Sequence, residues 1–191
     1  INIAKNLKDE DLNTLISNIS LYSNSQSKVS RVDLRSRDPK MDRIKKLSDT
    51  VLTPMGTKWF FEKSKGEFST RKRLRGARID KDYPRKVRLS KTDIGKYYTA
   101  WGDQPWLVKK GGEKVFRTFM ENINGEGGNN KEIEIDRIFY EELIAKTILF
   151  RELEILHGVR NNAIGQLRAA VVPYTIAVWY NMFGGTEKRE A

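Results

Sequence analysis

Between Lys58 and Lys96, fourteen lysines and arginines stand against five acids, while the net charge of the whole chain is +11. The basicity is therefore local, and Arg71, Lys72, Arg73, Arg75 and Arg78 crowd around Gly76 more densely than Glu67 and Asp80 can neutralise. Such a field attracts polyanions, above all nucleic-acid phosphates. The same stretch and its downstream flank carry Trp59, Phe60, Phe61, Phe68, Tyr83, Tyr97, Tyr98, Trp101 and Trp106. Rings beside cations are what single-stranded bases stack on, but rings also build cores, and Trp59 and Phe60 in a short apolar run are expected to pack inward.

Other side chains suggest weaker chemistry. His157 is the sole histidine, and beside Gly158 at the end of a long apolar segment it reads as a cation closing a helix. No serine or carboxylate constellation converges on it. Glu132, Glu134 and Asp136 alternate with Ile133 and Ile135, which on a strand would present carboxylates to a divalent metal and on a helix would sit in the first turn. The helical reading is preferred. Asp80, Asp82 and Lys86 have the composition of a metal-dependent nuclease site, but beside Pro84 they are expected in a loop. Lys109, Lys110, Gly111 and Gly112 precede a helix and could seat an anion, without the glycine spacing of a nucleotide-binding loop. A plain turn between helices is the preferred reading there. No metal site and no cofactor is expected.

Composition narrows the class. Cysteine is absent, which removes disulfides, thiolate metal sites and cysteine nucleophiles. No signal peptide is visible, and a cytoplasmic location is expected. The run from Ala169 to Phe183 is broken by Pro173, Thr175 and Asn181 and is too short to span a bilayer, so it should be a core helix and no membrane contact is expected. Ile1 opens the chain without a methionine, which suggests a piece of a longer protein.

Helical spacing places these residues on a mostly α framework. Leu12, Leu15, Ile16, Ile19 and Tyr22 predict an amphipathic helix over 7–22, with Asp9, Glu10 and Asp11 in its first turn. Pro39 to Leu52 predicts a second, capped by Asp38. Lys58 to Phe61 and Val87 to Leu89 read as two short strands, a small β element carrying a basic loop between Phe68 and Lys86. A helix capped by Ser90 or Thr92, a helical turn over 104–108 and a helix over 113–123 follow. Gly125 to Asn130 forms a flexible linker, dividing a basic, aromatic-rich region over 1–124 from a helical hairpin over 131–191, built from Ile133 to Leu156 and Asn162 to Phe183.

Several strings in this order resemble the AIPR family, the abortive infection phage resistance proteins. They are Ser23 to Val29, Lys58 to Phe68, Tyr83 to Tyr97, Trp101, Gln104 to Trp106, Lys110 to Lys114 and Tyr174 to Ala177. Within them Asn24, Gln26, Trp59, Glu62, Gly66, Lys91, Thr92, Asp93, Lys96 and Tyr97 are the motif positions. The resemblance implies the carboxy-terminal region of a bacterial defence protein whose nuclease-like or nucleotide-handling part lies upstream, and that upstream domain of the parent protein is an expected partner.

The expectation is a non-catalytic, mostly helical domain contacting nucleic acid through Lys58, Lys63, Lys65, Arg71, Lys72, Arg73, Arg75, Arg78, Arg85, Lys86 and Arg88. One alternative joins Asn24, Gln26 and Asp80 or Asp82 to a composite nuclease site completed by the upstream part. Another makes the chain an architectural module whose hairpin docks a partner or a second copy.

Overall fold

The computed structural model describes residues 9–23, 37–53, 56–102, 104–126, 131–157 and 170–183. Two compact units divide the chain, Ile1–Lys91 and Thr92–Ala191. The glycine-rich segment from Gly125 lies inside the second, and residues 127–130 fall outside the described residues.

The first unit opens with helix α1 (Asp9–Ser23), which buries Leu12 and Ile16, and continues with α2 (Pro39–Thr50). Asp38 caps α2 as its sequence predicts: Oδ1 accepts from the Lys40 amide at 2.9 Å, and Pro39 occupies the first turn, where no amide is required. The helix stops at Thr50 rather than Leu52, which is exposed. Met41, Ile44 and Leu47 form its buried stripe.

Strands β1 (Phe60–Glu62) and β2 (Arg88–Ser90) pair in parallel, Phe60 opposite Arg88 and Glu62 opposite Ser90. A parallel pair cannot close through a tight hairpin, so the connection must cross over. The expected basic loop is accordingly a helical crossover: α3 (Glu67–Arg75), α4 (Arg78–Asp82) and a 3-10 turn over Arg85–Val87. Asp80 and Asp82 thus belong to a helix, not to a loop. Gly66, at φ 85°, makes the left-handed turn into α3, and Gly76, at φ 77°, ends it. Phe60, Phe68 and Ile79 pack together between strand and crossover, with Tyr83 against them. Phe60 meets both Phe68 and Tyr83 edge-on, with centroids 5.2 and 5.5 Å apart.

The second unit is helical among its described residues. Helix α5 (Lys91–Thr99) starts directly after Ser90, so of the two proposed caps it is Ser90 that stands at the boundary. A 3-10 helix (Pro105–Lys110) leads through Gly111 into α6 (Gly112–Ile123), whose Val115, Phe116, Phe119, Met120 and Ile123 are buried. Gly95 lets α5 and α6 cross closely, since a Cβ there would sit 3.0 Å from the Phe116 backbone.

Helix α7 (Arg137–His157) and helix α8 (Val171–Phe183) pack against each other, and the residues joining them, 158–169, lie outside those described. Residues 131–136 are irregular, not helical as their spacing suggested, because the Asp136 carboxylate accepts from the Phe139 amide at 2.7 Å and so sets the start of α7. Helix α8 is only half a core helix: Val172, Pro173, Ile176 and Ala177 are buried, while Tyr174, Val178, Trp179, Met182 and Phe183 are exposed. No described helix is long and apolar enough to cross a membrane.

Candidate nucleic-acid interface

The basic stretch of the first unit separates into cations that the fold consumes and cations that it displays. At its buried end lies Glu67. One carboxylate oxygen is 2.8 Å from Lys45 Nζ and 3.6 Å from the Arg71 guanidinium, and the other accepts from the Lys63 amide. Lys45 also donates to the Phe61 carbonyl at 2.6 Å and lies over the Phe60 ring. Burial pushes its ammonium pKa below the usual lysine value, and Glu67 opposes that push. Arg71 is buried as well, donating to Asn13 Oδ1 and lying 5.0 Å from the Phe60 centroid.

A second knot forms around Asp80, whose oxygens pair with Lys72 at 2.5 Å and Arg88 at 2.8 Å. The hydrogen bond from Lys72, with help from Arg88, holds this carboxyl below its ordinary pKa. Arg88 further donates to the Tyr83 carbonyl and stacks 3.6 Å from the Phe68 centroid, pinning β2 to the crossover. Lys63 pairs with Asp42 on α2. These cations tie strand, crossover and α2 together.

The remaining cations face solvent. Lys65 is exposed on the turn before α3, Arg73 and Arg75 at the end of α3, Arg78 and Lys81 on α4, and Arg85 and Lys86 in the 3-10 turn. Arg73 donates to Thr70 Oγ1 within its own helix. Lys58, before β1, is half-buried. Lys81 was not singled out from the sequence; only its place in a helix between Arg78 and Arg85 marks it. Lys45, Asp42 and Asn13 were also missed, although Lys45 falls one turn after the buried Met41 and so announces a cation on the apolar side of α2.

Among the described side chains of the first unit, no ring is exposed as these cations are, and Tyr83 is half-buried. Trp59, Phe60, Phe61 and Phe68 are buried, and Tyr83 is packed on the core with its hydroxyl pKa raised by burial. The inward packing expected of Trp59 and Phe60 is what the structure contains.

The motif residues have structural work. Glu62 Oε1 accepts from the amides of Gly66 and Phe68, at 2.8 and 3.4 Å, and thereby caps α3. In the second unit Lys96 pairs with Glu154 at 2.5 Å and lies 4.6 Å from the Phe150 centroid. Arg151 donates to the Tyr97 hydroxyl at 3.0 Å and approaches Asp93 at 4.0 Å. Burial raises the Tyr97 pKa while that hydrogen bond opposes the rise. Lys91 is buried, and a Cβ on Gly112 would lie 2.6 Å from Thr92 Cγ2, so Thr92 abuts the start of α6. Asn24 and Gln26 lie outside the described residues.

The other candidates do not assemble into a centre. His157 sits in the last turn of α7 with its Nε2 buried and without a hydrogen-bond partner among the described residues, and Gly158 lies outside them. Among the described residues, no group of three or more His, Asp or Glu side chains could hold a metal. Lys109, Lys110 and Gly111 are exposed, and Gly111, at φ 96°, forms a turn between helices.

The fold thus defines a mostly helical protein whose first unit presents cations along a β-α-α-β crossover. It belongs to the AIPR family, since the family model described as AIPR protein matches residues 1–188. Comparison with curated proteins and with solved structures gives no match.

Proposed function

We propose that this AIPR-family chain is a non-catalytic part of a bacterial phage-defence protein and that it contacts nucleic acid through exposed cations of the crossover, Arg73, Arg78, Lys81 and Arg85, and through Lys65. One observation carries the reading. Of the acids in the basic stretch, Glu62, Glu67, Asp80 and Asp93 are each engaged within the fold, while Arg73, Arg78, Lys81 and Arg85 are exposed. Asp82 alone stands exposed among them. A surplus of guanidinium and ammonium groups displaces the counterions condensed on a phosphate backbone, and that release drives binding.

The composite nuclease alternative is less well supported, because Asp80 is committed to Lys72 and Arg88. A metal held there would have to displace both cations. The contact reading is tested by fluorescence anisotropy on labelled nucleic acid with the chain carrying Arg73→Gln, Arg78→Gln and Arg85→Gln together. Affinity at 100 mM salt should fall more than about tenfold with unchanged circular dichroism. Undiminished affinity in this folded variant would overturn it.

A further inference from the structure

Resting on the contact reading above, we infer that the surface selects double-stranded over single-stranded nucleic acid and reads phosphates alone. The juxtaposition behind this is a set of exposed cations on the crossover, Arg73, Arg78, Lys81 and Arg85, in a unit whose described rings are buried apart from Tyr83, which is half-buried. Trp59, Phe60 and Phe61 are at most 4% exposed, Phe68 is 9% exposed, and Tyr83 is spent on the Phe60 cluster. Among the described side chains of the unit, no ring is exposed as Arg73, Arg78 and Arg85 are.

Single-strand binding draws much of its strength from bases stacked on aromatic side chains. A surface without such platforms gains almost nothing from unpaired bases. It responds instead to linear charge density, which is higher in a duplex: each phosphate contact contributes about 0.9 to the logarithmic salt slope there and about 0.7 on a single strand. For about five contacts, that difference compounds to roughly tenfold in affinity per decade of salt. Backbone contacts carry no sequence information, so base composition should matter little. The chemistry is the paired row of phosphates, common to duplex DNA and duplex RNA.

Two aspects of the cations agree with this. Arg73 and Arg78 stand near the end of one helix and at the start of the next, with Gly76 and Ala77 between the two helices. Arg71 and Arg88 lie over Phe60 and Phe68 inside the unit, so these guanidinium–ring contacts are made within the fold.

The experiment measures anisotropy of the intact chain on a labelled duplex DNA, a labelled duplex RNA and two single-stranded DNAs of matched phosphate number, one pyrimidine-only and one mixed, at 100 mM salt. The duplexes should bind about tenfold more tightly than either strand, and the two strands should bind alike. Trp106→Ala, which removes an exposed ring of the second unit, should leave all affinities within about twofold. Single strands bound as tightly as duplexes, or a single-strand affinity that drops with Trp106→Ala, would overturn the inference while leaving nucleic-acid contact intact. Binding to none of the probes would overturn both readings.

Discussion

Replacing Arg71 by alanine should destabilise the first unit. Its guanidinium lies 3.6 Å from Glu67, donates to Asn13 and covers Phe60, with only 7% of the residue exposed. Deleting one member of a buried ion pair costs about 3–5 kcal/mol when the survivor is stranded. Here Glu67 retains Lys45 at 2.8 Å, and the buried Arg71 Nε has no hydrogen-bond partner among the described residues, so part of that cost is already absent. With the lost cation–π contact of about 0.5–1 kcal/mol added, the expected loss is about 2–3 kcal/mol. For a unit of this size each kcal/mol moves the midpoint by about 4–8 °C, so melting should fall by roughly 10–20 °C. Far-UV circular dichroism on heating reads this directly, and a urea titration should show a lower midpoint at unchanged slope. A variant that melts within about 2 °C of the parent yet loses nucleic-acid affinity would refute the assignment of Arg71 to the interior. It would also mean that consumed and displayed cations had been wrongly divided.

Three further perturbations follow from the same geometry. Glu62→Ala removes the carboxylate that accepts from Gly66 and Phe68 at the start of α3, and should destabilise by about 1 kcal/mol in urea unfolding. Gly95→Ala places a methyl 3.0 Å from the Phe116 backbone at the α5–α6 crossing, where neither helix can yield cheaply; a loss of about 1–3 kcal/mol is expected, and an unchanged melting point would contradict that crossing. Asp80 has a folded-state pKa below its unfolded value, so its contribution to stability is present above about pH 4 and disappears as pH falls through the folded value. Asp80→Asn should therefore lower stability at pH 7 and flatten the acid limb of the stability curve, an effect read from urea midpoints between pH 7 and pH 2.5.

Much of the helical framework could be read from spacing, because long amphipathic segments repeat their apolar residues several times. The Asp38–Pro39 pair announced α2, and the stripe from Val115 to Ile123 announced α6. The crossover was missed for the opposite reason. Helix α3 has only Phe68 and Arg71 beside Glu67 on its buried side, and α4 is too short to show a period at all. A stripe in which an arginine and a glutamate occupy buried positions looks polar throughout and imitates a loop. The start of α7 was misplaced because Ile133 and Ile135 continue the apolar spacing across an irregular segment, whereas the Asp136 cap fixes the boundary.

The candidate interface was legible as a charge surplus but not as a surface. Composition counts Arg71, Lys72 and Arg88 equally with Arg73, Arg78 and Arg85, and only tertiary contacts distinguish them. Glu67 reaches back to Lys45, and Asp80 bridges Lys72 to Arg88 across the crossover. Those pairings join residues from different elements, and no local pattern encodes them. The rings misled similarly: their proximity to cations in sequence suggested stacking platforms, while a short parallel strand pair needs apolar faces of its own and takes Phe60 and Phe61 for them.

The salt dependence of duplex binding tests the contact claim most directly. Affinity measured between 50 and 300 mM salt should give a steep logarithmic slope for the parent chain. The Arg73→Gln, Arg78→Gln, Arg85→Gln variant should lower that slope by about 2.7, the share of three phosphate contacts on duplex DNA. Equal slopes for parent and variant would show that these arginines do not meet phosphates.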